Sequence, residues 1–109
     1  MFMRAVHPGQ VLKDELEELG ITPTEFSRQI EVPPNRVSQI LSGRRAITAD
    51  TDLRLCRLFG LSSGYWLRAQ AAHDTEVAAR TLAKELAKIK PWDDARNVKR
   101  GRPRTGRAA

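Results

Sequence analysis

Apolar residues recur along this chain at helical spacing and almost nowhere in the strict alternation of a strand, which predicts an all-α fold. Leu12, Leu16 and Leu19 fall at i, i+4 and i+7, behind a His7–Pro8 start and ahead of Gly20. That spacing predicts a first helix capped by His7, opened by Pro8 and stopped by the glycine. Its acidic set, Asp14, Glu15, Glu17 and Glu18, lies mostly off the apolar stripe. Residues 1–6 read as extended, with Phe2 and Val6 able to pack onto the body. Thr22 and Pro23 open a second helix whose Glu25 completes a T-x-x-E capping box, with Phe26 and Ile30 on one face. Ser27 is small, as suits a close helix approach. After a turn at Glu31-Val32-Pro33, Val37, Ile40 and Leu41 form the next stripe, until Gly43 stops it.

Thr48 is placed to cap a fourth helix, with Asp50 and Asp52 in the first turn, where the helix dipole favours negative charge. Leu53, Cys56 and Phe59 are its expected buried side, widened by Leu55 and Leu58, and Gly60 its end. Ser62 or Ser63 is expected to start a fifth helix bearing Trp66 and Leu67. Alanine-rich helical sequence then runs from Ala69 to about Lys90. His73-Asp74 is a candidate break, with Asp74 capping a sixth segment that carries Val77, Leu82, Leu86 and Ile89 and stops at Pro91. A chain of 109 residues has little with which to cover that stripe, so a second copy or a different protein is the expected cover. The expected organisation is a five- to six-helix domain over residues 1–91 and a disordered basic tail over 92–109.

Second and third helices joined by a tight turn have the layout of a helix-turn-helix, whose second helix lies in the major groove with its first residues on base edges. Pro34, Asn35 and Arg36 occupy the exposed start of that helix, and Gln39 lies one turn on. Asparagine and glutamine pair bidentately with adenine and arginine with guanine, so Asn35, Arg36 and Gln39 are the candidate base readers. Thr24, Ser38, Ser42, Arg44 and Arg45 are candidates for phosphate contacts, which fix register without reading sequence. The alternative, that these are ordinary polar residues of a solvated helix face, is weakened by the capped helix and three-residue turn that precede them.

Charge sharpens this picture only locally. The chain carries 19 Lys/Arg against 13 Asp/Glu, a net charge of +6. From Asp93 to Ala109 there are six Lys/Arg and two Asp, so +4 of the +6 belongs to the last seventeen residues. The body is close to balanced, and any DNA-facing charge on it must be a local patch.

The helix-turn-helix resembles the lambda-repressor/Xre type, and a longer match resembles HigA-type antitoxins of toxin–antitoxin modules. The residues that carry it are HPGQVLKDEL, RVSQILSGRRAITADTDLRL and LFGLSSGYWLRAQAAHDTEVA, roughly Val6 to Arg80. The resemblance implies a homodimer that binds a palindromic operator in double-stranded DNA at its own promoter. It also implies a co-encoded RelE/HigB-like toxin, a ribosome-dependent endoribonuclease, that the chain binds and neutralises. Three features depart from the family pattern. Glu31 stands where the turn usually has glycine, Pro33-Pro34 replace polar residues at the start of the recognition helix, and the basic tail is long. Two rivals remain: an Xre-type regulator with no toxin, and a protein-interaction module that does not bind DNA.

The tail contains KRGRPR, Lys99 to Arg104, whose Arg-Gly-Arg-Pro core is similar to an AT-hook. Glycine lets a backbone sit deep in a narrow A-tract minor groove whose potential draws in arginine. Arg100, Arg102 and Arg104 therefore either enter a minor groove or tether the chain to phosphates without reading sequence. Enzyme readings fail for want of chemistry. His7 and His73 are sixty-six residues apart, Cys56 sits on an apolar helix face, and no glycine-rich phosphate loop, metal-ligand spacing or nucleophile pattern occurs. No cofactor or metal is expected. A lone cysteine, no membrane-length apolar run and no signal-peptide pattern make a cytoplasmic location the expectation.

Overall fold

A computed structural model describes residues 6–92, and all regular structure among them is helical. The helices are α1 (Pro8–Leu19), α2 (Pro23–Ile30), α3 (Pro34–Leu41), α4 (Ala49–Phe59), α5 (Tyr65–Thr81) and α6 (Ala83–Ala87). The described residues fall into two units that divide between Ala78 and Ala79. In the first unit α3 packs on α1 and α2, and α2 packs on α4. The expected basic tail after Trp92 lies outside the described residues.

The capping chemistry read from the sequence sets the first two helices. His7 Nδ1 accepts the Gly9 N–H at 2.9 Å, and Thr22 Oγ1 accepts the Glu25 N–H at 3.1 Å. Burial, with His73 beside it, lowers the pKa of His7, which suits an acceptor nitrogen that must stay unprotonated. Leu12, Leu16, Phe26, Ile30, Val32, Val37, Ile40 and Ile47 form the core with Leu55, Cys56 and Trp66. Ser27 is buried between helices, its hydroxyl donating to the Thr24 carbonyl at 2.6 Å.

Gly9 explains the His-Pro-Gly start. A Cβ built there would lie 1.8 Å from the Ile40 carbonyl oxygen, so α1 touches the backbone of α3 directly. Any side chain at position 9 would push the two helices apart.

Several expectations fail. Leu19 is 55% exposed although it continues the Leu12–Leu16 spacing at the last position of α1. On α4 the inward face is rotated: Leu53 is 54% exposed and Leu58 is also exposed, whereas Thr51, Asp52, Leu55 and Cys56 are buried. The cause is Asp52. Its carboxylate accepts from the Gly64 N–H at 2.7 Å, the Trp66 N–H at 2.8 Å and the Leu67 N–H at 3.2 Å, which draws its face of α4 inward. The same bonds satisfy the amino end of α5, so that helix begins at Tyr65 rather than at Ser62 or Ser63. Thr48 occupies the cap position of α4 without a capping bond from its side chain. Nor do His73 and Asp74 break α5. Asp74 accepts from Gln70 Nε2 at 3.1 Å within the helix, and the interruption comes at Leu82 instead. In the second unit α6 leaves Leu82, Leu86 and Ile89 exposed and ends at Ala87, ahead of Pro91.

Burial is the largest influence on the Asp52 pKa and raises it, but the three backbone donors and Cys56 together outweigh it and hold the carboxyl below its ordinary 3.8. A depressed carboxyl stabilises the fold fully above its ordinary pKa and loses that contribution as pH falls toward the folded value. Asp52→Asn is therefore expected to cost about 2–4 kcal/mol at neutral pH. Urea unfolding at pH 7 and pH 3 checks it: the gap between wild type and variant narrows at the lower pH.

Candidate nucleic-acid interface

The turn between α2 and α3 fixes how the second helix is presented. Glu31 adopts φ 59° and ψ 52°, the left-handed conformation that glycine usually takes. Two features hold it there. The Val32 N–H returns to the Ser27 carbonyl at 3.0 Å, and Arg54 of α4 donates from Nη1 to the Ile30 and Glu31 carbonyls at 2.9 and 3.0 Å. A cation on the last carbonyls of α2 also complements its dipole. The strain expected at Glu31 is thus stabilised by a residue that nothing in the local motif announces.

From that turn α3 begins with Pro33 at its cap and Pro34 at its first position, both pre-set in φ. Val37 and Ile40 face the core, which leaves Asn35, Ser38, Gln39 and Ser42, at i, i+3, i+4 and i+7, on the outer face. Asn35 and Ser38 are exposed and Gln39 is half-buried. The Ser38 and Ser42 hydroxyls donate to carbonyls of their own helix, those of Asn35 and Gln39, at 3.2 and 3.1 Å. Thr24, Arg44 and Arg45 are exposed, and the Arg44 and Arg45 N–H groups close the end of α3 on the Gln39 carbonyl. Arg44 Nε donates to Ser42 Oγ at 3.0 Å, which ties the first arginine past the helix to its last turn. Arg100, Arg102 and Arg104 lie outside the described residues.

Arg36 differs from its neighbours. Its Nη1 donates to Asp50 Oδ1 at 3.0 Å, and Arg54 Nε donates to the same oxygen at 2.7 Å. The Arg54 bond, with Arg36 beside it, holds the Asp50 carboxyl below the usual carboxylate range, so it is ionised at neutral pH. Sequence reasoning missed Asp50 and Arg54. Their i, i+4 spacing was visible, but nothing in it showed that the pair meets α3.

Behind α3, Gln70 Oε1 accepts the Ile47 N–H at 2.8 Å and anchors to α5 the loop that leaves the helix. Cys56 is buried, in line with its reading as a small core residue, and its one thiol proton is shared between the Ser62 carbonyl at 3.2 Å and Asp52 Oδ1 at 3.5 Å. Among the described residues no group of three or more His, Cys, Asp or Glu is placed to hold a metal, and no helix is long and apolar enough to cross a membrane.

A sequence model of the helix-turn-helix family matches residues 12–66, from the core of α1 to the start of α5. The chain belongs to the Xre-like helix-turn-helix family. Virulence-associated protein I of Dichelobacter nodosus is 38% identical over 97 residues, which span 88% of this chain and 90% of that protein. The fold is similar to an addiction module antidote protein of the HigA family from Coxiella burnetii, with a TM-score of 0.78 at 38% identity over 83% of this chain and 100% of that one. Antitoxin HigA of Pseudomonas aeruginosa, solved with the higBA promoter, is similar at a TM-score of 0.78 and 33% identity over the same shares, 83% and 100%. The resemblance to HigA-type antitoxins and the all-α repressor-like fold are both borne out.

Because Gly9 sets the distance between α1 and α3, Gly9→Ala should displace the helix that carries the outer polar face. The expected loss is about 1–3 kcal/mol of folding stability, as for other overpacked contacts, since the opposing atom is backbone and cannot rotate aside. Thermal melting of the variant beside wild type measures it; an unchanged melting temperature contradicts the close approach.

Proposed function

We propose that this chain is a sequence-specific DNA-binding antitoxin that represses its own operon and neutralises a co-encoded RelE/HigB-like toxin. The observation that carries the DNA reading is the outer face of α3, a polar stripe from Asn35 to Ser42 opposite buried Val37 and Ile40, followed by two exposed arginines. In this reading Asn35, Arg36 and Gln39 contact base edges in the major groove. Thr24, Ser38, Ser42, Arg44 and Arg45 contact phosphates; the two serines rotate from their own carbonyls to do so. Arg100, Arg102 and Arg104 add a tether or a minor-groove contact beside the main site. Likeness to HigA proteins, one of them solved with promoter DNA, supports both the operator and the toxin halves of the proposal. The reading places the protein in the cytoplasm with no cofactor and no catalytic role.

One helix-turn-helix reads only a few base pairs, so a palindromic operator needs two copies on half-sites about 34 Å apart. A groove between α1 and α5, lined by Val6, Val11, Tyr65, Trp66, Ala69 and Ala72, supports a two-fold homodimer. Val6, Val11 and Tyr65 are exposed there, and the buried Trp66 indole N–H has no hydrogen-bond partner. A second copy would cover the apolar surface.

Arg36→Ala and Gln39→Ala are each expected to weaken binding to a duplex from the chain's own promoter by about 1–3 kcal/mol and to relax preference at one position per half-site. Arg44→Ala should weaken all duplexes alike and lower the salt dependence. Fluorescence anisotropy titrations check both, and unchanged promoter affinity in the first two variants would exclude α3 as the reading helix. Sedimentation of the free protein at micromolar concentration tests the assembly: a dimer is expected, and a strict monomer with and without promoter DNA contradicts it.

A further inference from the structure

Three side chains connect the helix-turn-helix turn to the outer surface of α3. Arg54 holds the Ile30 and Glu31 carbonyls at the end of α2 and, through Nε, Asp50 Oδ1 at 2.7 Å. That same oxygen accepts from Arg36 Nη1 at 3.0 Å. The side chain of Asp50 is 55% exposed and that of Arg36 26%. The carboxylate therefore stands in the open beside the start of the recognition helix, where an approaching duplex would bring phosphates.

A negative charge in that place repels every duplex alike, and affinity alone gives no reason for it. Arg54 closes the end of α2 through its two carbonyl bonds, which do not involve Asp50. Asp50 Oδ1 also accepts from Arg54 Nε, but Asp50 is what links that arginine to Arg36 on the outer side of α3. A free arginine at a DNA surface finds the nearest phosphate, a contact that carries no sequence information. An arginine held by one nitrogen keeps the rest of its N–H fork, and a pre-oriented fork suits the bidentate acceptor pair of guanine.

Resting on the reading of α3 as the recognition helix, we propose that Asp50 is a positioning residue for sequence discrimination. It orients the Arg36 guanidinium toward base edges and withholds it from the phosphates of other DNA. Discrimination then comes from both sides, a better-placed contact on the operator and a penalty on everything else. The α4 helix tolerates the charge because Asp50 lies in its first turn, at the positive end of its dipole.

Asp50→Asn and Asp50→Ala of the full-length chain test this by anisotropy against a duplex from its own promoter and a scrambled duplex of equal length, over a series of salt concentrations. Each variant is expected to bind the scrambled duplex several-fold more tightly, with a salt slope steeper by about one ion as Arg36 takes a phosphate. The ratio of promoter to scrambled affinity should fall roughly tenfold. In Arg36→Ala/Asp50→Asn the ratio should equal that of Arg36→Ala alone, since Asp50 acts through Arg36. A merely structural role would move the melting temperature and leave the salt slope unchanged. The proposal is overturned if both duplexes gain equally with the ratio intact, which marks plain repulsion, or if the two ratio losses add in the double variant. Arg36→Ala with unchanged promoter affinity is a different failure: it removes the recognition helix itself, and the role of Asp50 with it.

Discussion

The buried carboxylate of Asp52 is the constraint on which the rest of the first unit depends. It is 1% exposed, and an ion so placed is tolerable only with its lone pairs filled. Three backbone N–H groups around the start of α5 and the Cys56 thiol fill them. The bonds fix α5 relative to α4, and two consequences follow along that helix. Trp66 enters the core beside Phe59, with ring centroids 6.0 Å apart, and Gln70 reaches the Ile47 N–H. One ionised side chain thus sets both the aromatic packing and the exit path of the chain from α3.

Presentation of α3 is fixed from the other side by a close backbone contact and by a cation. Gly9 lets the first turn of α1 rest on the Ile40 carbonyl, and Arg54 pins the turn before α3 through the last carbonyls of α2. The helix is held at its beginning by a cation and along its inner face by Val37 and Ile40, and the loop that follows it is anchored by the Gln70 bond to Ile47. Rigid placement matters because base contacts are short and directional, and a helix free to rock would exchange them for phosphate contacts.

Much of this was legible in the sequence, and the limits have a physical pattern. Local chemistry read well: the His7 and Thr22 caps, the Val37–Ile40 stripe and the glycine stops all follow from neighbours within four residues, while the left-handed Glu31 followed from the family resemblance. Long-range polar bonds did not. Asp52 looked like a first-turn acid for its own helix, and its true partners lie 12 to 15 residues away. Its inward turn rotated α4 and made Leu53 and Leu58 surface residues, against an apolar pattern that favoured Leu53. Asp74 looked like a cap because short acids favour helix starts, yet the Gln70 bond absorbs it within α5. At the interface the polar stripe of α3 was readable as spacing, whereas the Arg36–Asp50–Arg54 cluster depends on how α4 crosses α2 and α3. Among the described residues, Thr24 and Arg45 make no side-chain bond that marks them as phosphate contacts, and the tail arginines lie outside the described residues.

The central claim is that α3 and the arginines after it form the DNA-reading surface. The direct measurement is an amide-resolved NMR titration of the isotopically labelled chain with a duplex from its own promoter. The account predicts that the largest chemical-shift changes fall within residues 34–45, with Thr24 and its neighbours next and the acidic face of α1 unmoved. Shifts confined to α1 or α5, with residues 34–45 unperturbed at saturating DNA, would contradict it.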